Sequence, residues 1–235
     1  MKRIASFLLL LIMVTPLLAD DFGFRFGLKA SPNIGWFRTE TRTYDNRGVR
    51  IGYSYGLIVD YDFAENYAIS TGLNILQTGG QMRYAWIHHA NGNDGQDTNT
   101  GFETVKQRTF RYRHLEIPLA LKLRTTEIGY MTYYGKFGIG MGFRTSATAD
   151  DRITLPNDQY LHEDNIDIAD GTSFLRAGLI LGGGLEYSFG GRTALLAGIT
   201  FHNGFSNILE GRNPAVPYSP SAHNLYLELT LGVMF

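Results

Sequence analysis

The chain has 235 residues, a formal net charge of −1 and no cysteine. The near-zero charge argues against nucleic acid as a partner, and the lack of cysteine excludes disulfides and thiolate metal sites. Its 28 glycines, 14 tyrosines and 15 phenylalanines favour long, bent strands.

The first 19 residues have the features of a secretory signal peptide. Lys2 and Arg3 precede an apolar run over 7–14, Pro16 interrupts that run, and Ala19 supplies the small residue at the cut. The run is shorter than the roughly 20 apolar residues of a membrane-spanning helix, and an uncleaved anchor is the alternative. We therefore predict a signal peptide over 1–19 and a single mature domain over 20–235.

Apolar and polar residues alternate in eight segments after this peptide. The alternation predicts strands near 22–37, 51–63, 67–84, 108–123, 130–146, 173–189, 192–206 and 223–235. Most of these strands are long enough to cross a bilayer at a tilt, which takes about 9–11 residues.

The connections between these strands alternate in length. Long, polar connections are predicted near 38–50, 85–107, 147–172 and 207–222, and short ones near 64–66, 124–129 and 190–191. Alternate connections of an up-and-down barrel lie at opposite ends, and outer-membrane barrels combine short periplasmic turns with long external loops. The pattern predicts an all-β, eight-stranded antiparallel transmembrane barrel with both termini in the periplasm.

A soluble β-sandwich would also show several alternating strands. Two features favour the membrane barrel instead. The first is a set of aromatic residues near the strand ends, typical of membrane-interface girdles: Trp36, Phe37, Tyr53, Tyr61, Phe63, Tyr130, Tyr187 and Phe189. The second is that the face opposite the apolar one carries too many charges for a protein core.

The segment RHLEIPLALKL, residues 113–123, shows this sorting of side chains. Its leucines and isoleucine form one face, which points to lipid in a membrane barrel, while Glu116 and Lys122 fall on the face that points inward. The same parity predicts a structural network of charges in the lumen: Arg25, Lys29, Asp60, Asp62, Glu116, Lys122, Lys136, Arg144, Arg176, Glu186 and Glu228.

Six of these predicted lumenal residues are basic and five are acidic, which allows the buried charges to pair. An eight-stranded barrel has an interior just wide enough for side chains to fill. We therefore expect the charges to plug the lumen rather than to line an open pore.

Several segments resemble the PorT-like outer-membrane β-barrel proteins of Bacteroidetes. They are FGFRFGLKASPNIGWF (22–37), YSYGLIVDYDFAENYAISTGLNILQTGG (53–80), YRHLEIPLALKLR (112–124), KFGIGMGF (136–143) and LGGGLEYSF (181–189). The final Phe235 is similar to the C-terminal signal that the barrel-assembly machinery recognises. The resemblance implies the fold and an outer-membrane location, and the family's namesake takes part in type IX secretion.

Candidate chemical sites have weak patterns. His88 and His89 precede Asn93, Asp94 and Asp97, but adjacent strand residues point to opposite sides, and the loop lacks calcium-site spacing. The acidic segment 147–172 could bind divalent cations or a basic partner, and a solvated loop is the simpler interpretation. His114 with Glu116, or Ser146 with His162 and Glu163, could form an acid–base site, although no known catalytic motif is present.

These observations predict a non-enzymatic outer-membrane barrel without cofactor or metal. Its expected partners are membrane lipid and the assembly machinery. A structural or secretion-linked role is the main hypothesis; a surface binding or adhesion protein, and a small pore or lipid-modifying enzyme, are the alternatives. The specific role is expected in the loops, since a rigid scaffold usually carries function there.

Overall fold

The computed structural model describes residues 23–41, 43–89, 101–154, 160–191, 193–210 and 219–235. Within these ranges the chain forms ten strands: β1 (Phe24–Thr39), β2 (Tyr44–Gly48), β3 (Arg50–Ala64), β4 (Tyr67–His89), β5 (Gly101–Arg124), β6 (Met131–Thr154), β7 (Tyr160–Asp167), β8 (Leu175–Ser188), β9 (Ala194–Gly204) and β10 (Ala222–Met234). All strands except β2 and β7 form an antiparallel ring in chain order, and β10 pairs back onto β1. The prediction of an eight-stranded antiparallel barrel is confirmed.

The pairing of the first and last strands closes the ring. Their register runs from Gly27 opposite Met234 to Thr39 opposite Ala222. Past the end of β10, the amide nitrogen of Phe235 donates to the carbonyl oxygen of Phe26 at 2.7 Å. The ring therefore has no free strand edge, and its backbone polar groups find partners within the protein, as a lipid environment requires.

Side chains of the ring strands alternate between an apolar outward face and an interior face. Leu119 and Leu231 are about half exposed, at 49% and 53%, while their neighbours Ala120 and Thr230 are buried at 5% and 1%. The same outward exposure of large apolar side chains recurs on every ring strand. A continuous apolar surface of this kind needs a hydrocarbon environment to cover it.

The predicted interface aromatics lie on the outward face, with one exception. Tyr53, Tyr61, Phe63 and the other predicted members are exposed or half-buried. Phe37 is instead 1% exposed and points into the barrel. Its prediction was wrong because consecutive strand residues face opposite sides, so Trp36 and Phe37 cannot both face lipid.

The two ends of the barrel differ. At one end, here called the short-turn end, lie Phe24, Phe235 and the tight connections, including the turn at Gly190 and Gly191, whose φ angles of 98° and 67° suit glycine. At the other, the long-loop end, β4, β5 and β6 continue beyond the rest of the ring as strands of 23 or 24 residues. The predicted alternation of short and long connections thus corresponds to two distinct ends.

Parts of the predicted long loops are themselves strands. Within 38–50, β2 pairs with β4, bringing Tyr44 opposite Tyr84. Within 147–172, β6 continues to Thr154 and β7 folds back on it. Long strands that project from the ring would expose unpaired edges, and β2 and β7 cover such edges.

Other sequence predictions lie outside the described residues. These include the signal peptide over 1–19 and the segment 90–100 within the predicted loop 85–107. In the described part of the chain, no helix is both long and apolar enough to cross a membrane.

The assignment of faces predicts opposite effects of neighbouring substitutions. Leu119→Arg places a charge on the outward face near the middle of the apolar band, where it costs about 2–4 kcal/mol. Ala120→Ser adds a hydroxyl to the polar interior and should have a small effect. The urea midpoint of the folded barrel measures both changes. A harmless Leu119→Arg together with a disruptive Ala120→Ser would reverse the assignment of faces.

Candidate functional site in the barrel interior and at its long-loop end

Near the short-turn end, a lysine on β5 joins two acidic residues from different strands. The Lys122 Nζ donates to Asp60 Oδ2 at 2.6 Å and to Glu186 Oε1 at 2.5 Å, and Arg25 Nη2 donates to Glu186 Oε2 at 2.7 Å. Ser70 also donates to Asp60 at 2.6 Å. Because β1, β3, β5 and β8 contribute, this group of charges spans the interior from wall to wall.

Two further acidic residues have partners deeper inside. Glu228 accepts hydrogen bonds from Lys29 Nζ at 2.7 Å and from Ser54 Oγ at 2.6 Å, and its carboxylate is 1% exposed. Glu116 accepts from Arg176 Nη1 at 3.1 Å and from the Tyr226 hydroxyl at 3.0 Å. Each carboxylate therefore has both a cation and a neutral donor, which offsets the cost of its burial.

One member of this network was missed by sequence reasoning. Arg124 forms an ion pair with Asp62. It has the same parity as Lys122 and so belongs to the interior face, but the predicted strand ended at residue 123. Extending the alternation by one residue would have found it.

The predicted charges divide into paired and unpaired groups. Nine of the eleven take part in ion pairs with each other or with Arg124. For the remaining two, Lys136 and Arg144, the described residues supply no carboxylate within ion-pair distance. With Arg124 included, the interior carries more cations than carboxylates.

An apolar layer lies between this network and the long-loop end. Its buried members come from six strands and two loops: Phe37, Tyr44, Met82, Tyr84, Phe110, Tyr112, Ala147, Ala149, Ile168, Ile208 and Ala222. Phe37 meets Phe110 edge to face, with ring centroids 5.4 Å apart. The sequence prediction filled the interior with charges and did not anticipate this layer.

A cavity of about 160 Å³ lies beside the apolar layer at the long-loop end. We call it the end cavity. The residues that line it are Tyr44, Tyr84, Trp86, Arg108, Phe110, Ile168, Gly171, Thr172, Leu209, Glu210 and Pro220. A smaller cavity of about 40 Å³ lies among the lumenal charges, beside Lys29, Lys136 and His202.

Charged residues beside the end cavity are bound to one carboxylate. Arg108 Nε and Nη2 donate to the two oxygens of Asp151 at 2.6 and 2.5 Å, and Lys106 Nζ lies 3.3 Å from the same carboxylate. Burial opposes the charge of Arg108, but the hydrogen bonds to Asp151 outweigh it and raise the pKa of Arg108 above its usual value. Burial likewise raises the pKa of Tyr84 well above its usual value, so its hydroxyl stays protonated.

The sequence matches a protein-family model described as an outer membrane protein beta-barrel domain over residues 19–210. The chain belongs to this family. Membership in an outer-membrane barrel family explains the outward apolar face, which contacts lipid hydrocarbon, and the closure of the ring.

Solved structures of other outer-membrane proteins resemble the chain at low identity. OprG from Pseudomonas aeruginosa is 11% identical, with a TM-score of 0.46 and a match over 93% of this chain and 99% of that one. Neisserial surface protein A is 11% identical, with a TM-score of 0.42, over 89% and 95%. Ail, the attachment invasion locus protein of Yersinia pestis, is 12% identical, with a TM-score of 0.35, over 90% and 98%. No curated protein matches the chain.

Within this family barrel, the described residues form no hydrogen-bonded acid–base site from the candidate catalytic residues. Glu116 Oε2 accepts hydrogen bonds from Arg176 Nη1 and the Tyr226 hydroxyl, and neither of these partners is His114. Ser146 lies six residues along β6 from Arg152, the partner of His162, a separation of about 20 Å at roughly 3.3 Å per residue. Ser146, His162 and Glu163 therefore do not meet as a catalytic triad.

Candidate metal ligands are likewise not assembled. Among the described residues, no three His, Cys, Asp or Glu side chains form a group able to hold a metal ion. Asn93, Asp94 and Asp97 and the side chains of His88 and His89 lie outside the described residues.

Part of the acidic segment 147–172 has basic partners instead of being fully solvated. Asp150 pairs with Arg111 and Asp151 with Arg108, both across the β5–β6 pairing. The interpretation of this part as a solvated loop was wrong, because β6 continues through it and brings β5 arginines alongside.

The ion pairs predict unequal effects for two lysines that face each other across β5 and β6. Lys122→Met leaves Asp60 without its cation and Glu186 with Arg25 alone, a loss on the order of 3–5 kcal/mol for a buried pair. Lys136→Met removes a cation that has no carboxylate partner among the described residues, so its effect should be smaller. The urea midpoints of the two matched variants compare the losses. A larger loss in Lys136→Met would contradict this network.

Proposed function

We propose that this protein is a non-enzymatic, non-conducting component of the outer membrane that acts through the long-loop end of its barrel. The observation that supports this proposal most directly is the filling of the interior. The ion-pair network and the apolar layer follow one another along the barrel axis. An eight-stranded ring is narrow enough for side chains to block it completely.

In this proposal the long-loop end faces the outside of the cell and both termini face the periplasm. Short turns on the periplasmic side and longer external connections are the usual arrangement in outer-membrane barrels. Residues 1–19 act as the signal peptide that directs export. The exposed side chain of Phe235, beside the closing pair of strands, is the contact for the barrel-assembly machinery.

A structural or secretion-linked role is our first candidate, in line with the resemblance to PorT-like proteins of Bacteroidetes. Surface binding is the second candidate, and the end cavity favours it. Deleting the gene separates the two roles. Reduced release of secreted proteins would support the first, whereas normal secretion with loss of surface ligand binding would support the second.

A blocked interior predicts the absence of ion conduction. The purified barrel in a planar lipid bilayer should give no discrete current steps, because most charges in the lumen are ion-paired and the apolar layer lies across the path along the axis. An open porin reconstituted in the same bilayer provides the positive control. Reproducible current steps from the purified barrel would contradict the sealed interior.

The orientation predicts which residues an impermeant reagent can reach. Because the chain has no cysteine, single cysteines report unambiguous positions. Asp164→Cys, exposed on β7, should react with an impermeant maleimide on intact cells, and Glu65→Cys in the turn between β3 and β4 should react only after permeabilisation. The reverse pattern would show that the barrel is inverted.

A further inference from the structure

We propose that the end cavity is a binding site for a small, uncharged aromatic molecule. The proposal deepens surface binding, and it relies on the proposed function only in taking the long-loop end to face outward. The argument rests on the walls, the size and the polar groups of the cavity.

Aromatic rings form one side of the end cavity. Tyr44 and Tyr84 stack with centroids 4.7 Å apart and an interplanar angle of 18°, and Trp86 meets Tyr84 edge to face at 6.2 Å. Phe110, Ile168 and Leu209 add further apolar surface. A planar ring can bury both faces and edges against such walls, since aromatic pairs favour stacked and edge-to-face contacts.

The volume of the end cavity limits the ligand to about one ring. The cavity measures about 160 Å³. An apolar protein cavity of about 150 Å³ binds benzene. A single six-membered ring with small substituents therefore matches this volume better than a fused-ring or long-chain ligand.

Trp86 contributes its ring to the wall of the end cavity. Trp86 Nε1 is buried and has no hydrogen-bond partner among the described residues. Lys106 Nζ lies 4.1 Å from the centroid of the Trp86 ring, within the range of a cation–π contact.

The charges around the end cavity favour a neutral ligand. Arg108 and Lys106 share Asp151, and Glu210 lines the cavity, so these four groups have no net charge. Both carboxylate oxygens of Asp151 already accept hydrogen bonds from Arg108. A carboxylate ligand would have to displace Asp151 from Arg108 to gain a cation, whereas an uncharged ligand would leave that pair intact.

Elements outside the ring complete the end cavity beside β4 and β5. β2 contributes Tyr44, a 3-10 turn over Ala169–Gly171 contributes Gly171, and a bridge joins Thr172 to Leu209. The ring strands alone complete the barrel. These additional elements converge on the end cavity, which supports a role for it beyond sealing the lumen.

Fluorescence of Trp86 provides a direct test. The chain has two tryptophans, so Trp36→Phe leaves Trp86 as the sole reporter. The full mature barrel in lipid nanodiscs is titrated with 4-nitrobenzyl alcohol, a neutral aromatic quencher, and with 4-nitrobenzoate, its anionic counterpart. We expect saturable quenching by the alcohol and at least tenfold weaker binding of the benzoate.

A cavity-filling variant and a matched control variant test the position of the site. A Cβ at Gly171 would meet only the Glu210 carbonyl oxygen, at 3.8 Å. Gly171→Leu should therefore fill the end cavity without a backbone clash and weaken binding of the alcohol at least tenfold. Gly135→Leu adds the same side chain on the outward face, where a Cβ meets nothing within 4 Å, and should leave binding unchanged.

Other outcomes would overturn the proposal. Linear, non-saturating quenching that is equal in all three proteins would show partition into lipid and no site. Tighter binding of 4-nitrobenzoate would overturn the choice of an uncharged ligand. If Gly171→Leu does not fold, crystals soaked with 4-bromobenzyl alcohol replace it, and an absence of anomalous bromine signal beside Trp86 would refute the site. This assay uses the isolated barrel, so a negative result would not bear on the orientation of the barrel in the membrane. The cysteine labels on cells test that orientation separately.

Discussion

The pairing of β1 with β10 is the interaction on which the rest of the molecule depends. Hydrocarbon offers no partner for backbone N–H and C=O groups, so a sheet in lipid is stable only when its edges are joined. The register from Gly27–Met234 to Thr39–Ala222 joins them along nearly the whole length of both strands. Once the ring is closed, the alternation of each strand sends apolar side chains to lipid and the remainder to the interior.

Closure with eight strands also determines what the interior must do. The ring is too narrow for a wide aqueous channel, and charges removed from water need partners close by. The Lys122 contacts with Asp60 and Glu186 show how one side chain reaches across to two other strands. Farther along the axis, toward the long-loop end, the interior becomes aromatic around Phe37 and Phe110.

Three strands project past the ring and form the framework of the long-loop end. β4, β5 and β6 leave edges that β2 and β7 cover, and those short strands bring side chains over the mouth of the barrel. A rigid ring thus supports a small cavity lined by Tyr84 and Trp86. Many proteins bind their ligands with irregular elements that a rigid scaffold holds in place.

The sequence by itself determined the ring, its strand number and the facing of its side chains, because a period of two is a local property that each strand carries independently. It also identified interior charges such as Glu116 and Lys122 by their parity. It could not determine which charges pair, since Lys122 and Glu186 are brought together only by closure of the ring. The apolar layer and the end cavity were decided by tertiary structure alone. Residues distant in sequence, such as Tyr44 and Leu209, come together there only in the folded chain, and the local alternation of side chains does not predict that contact.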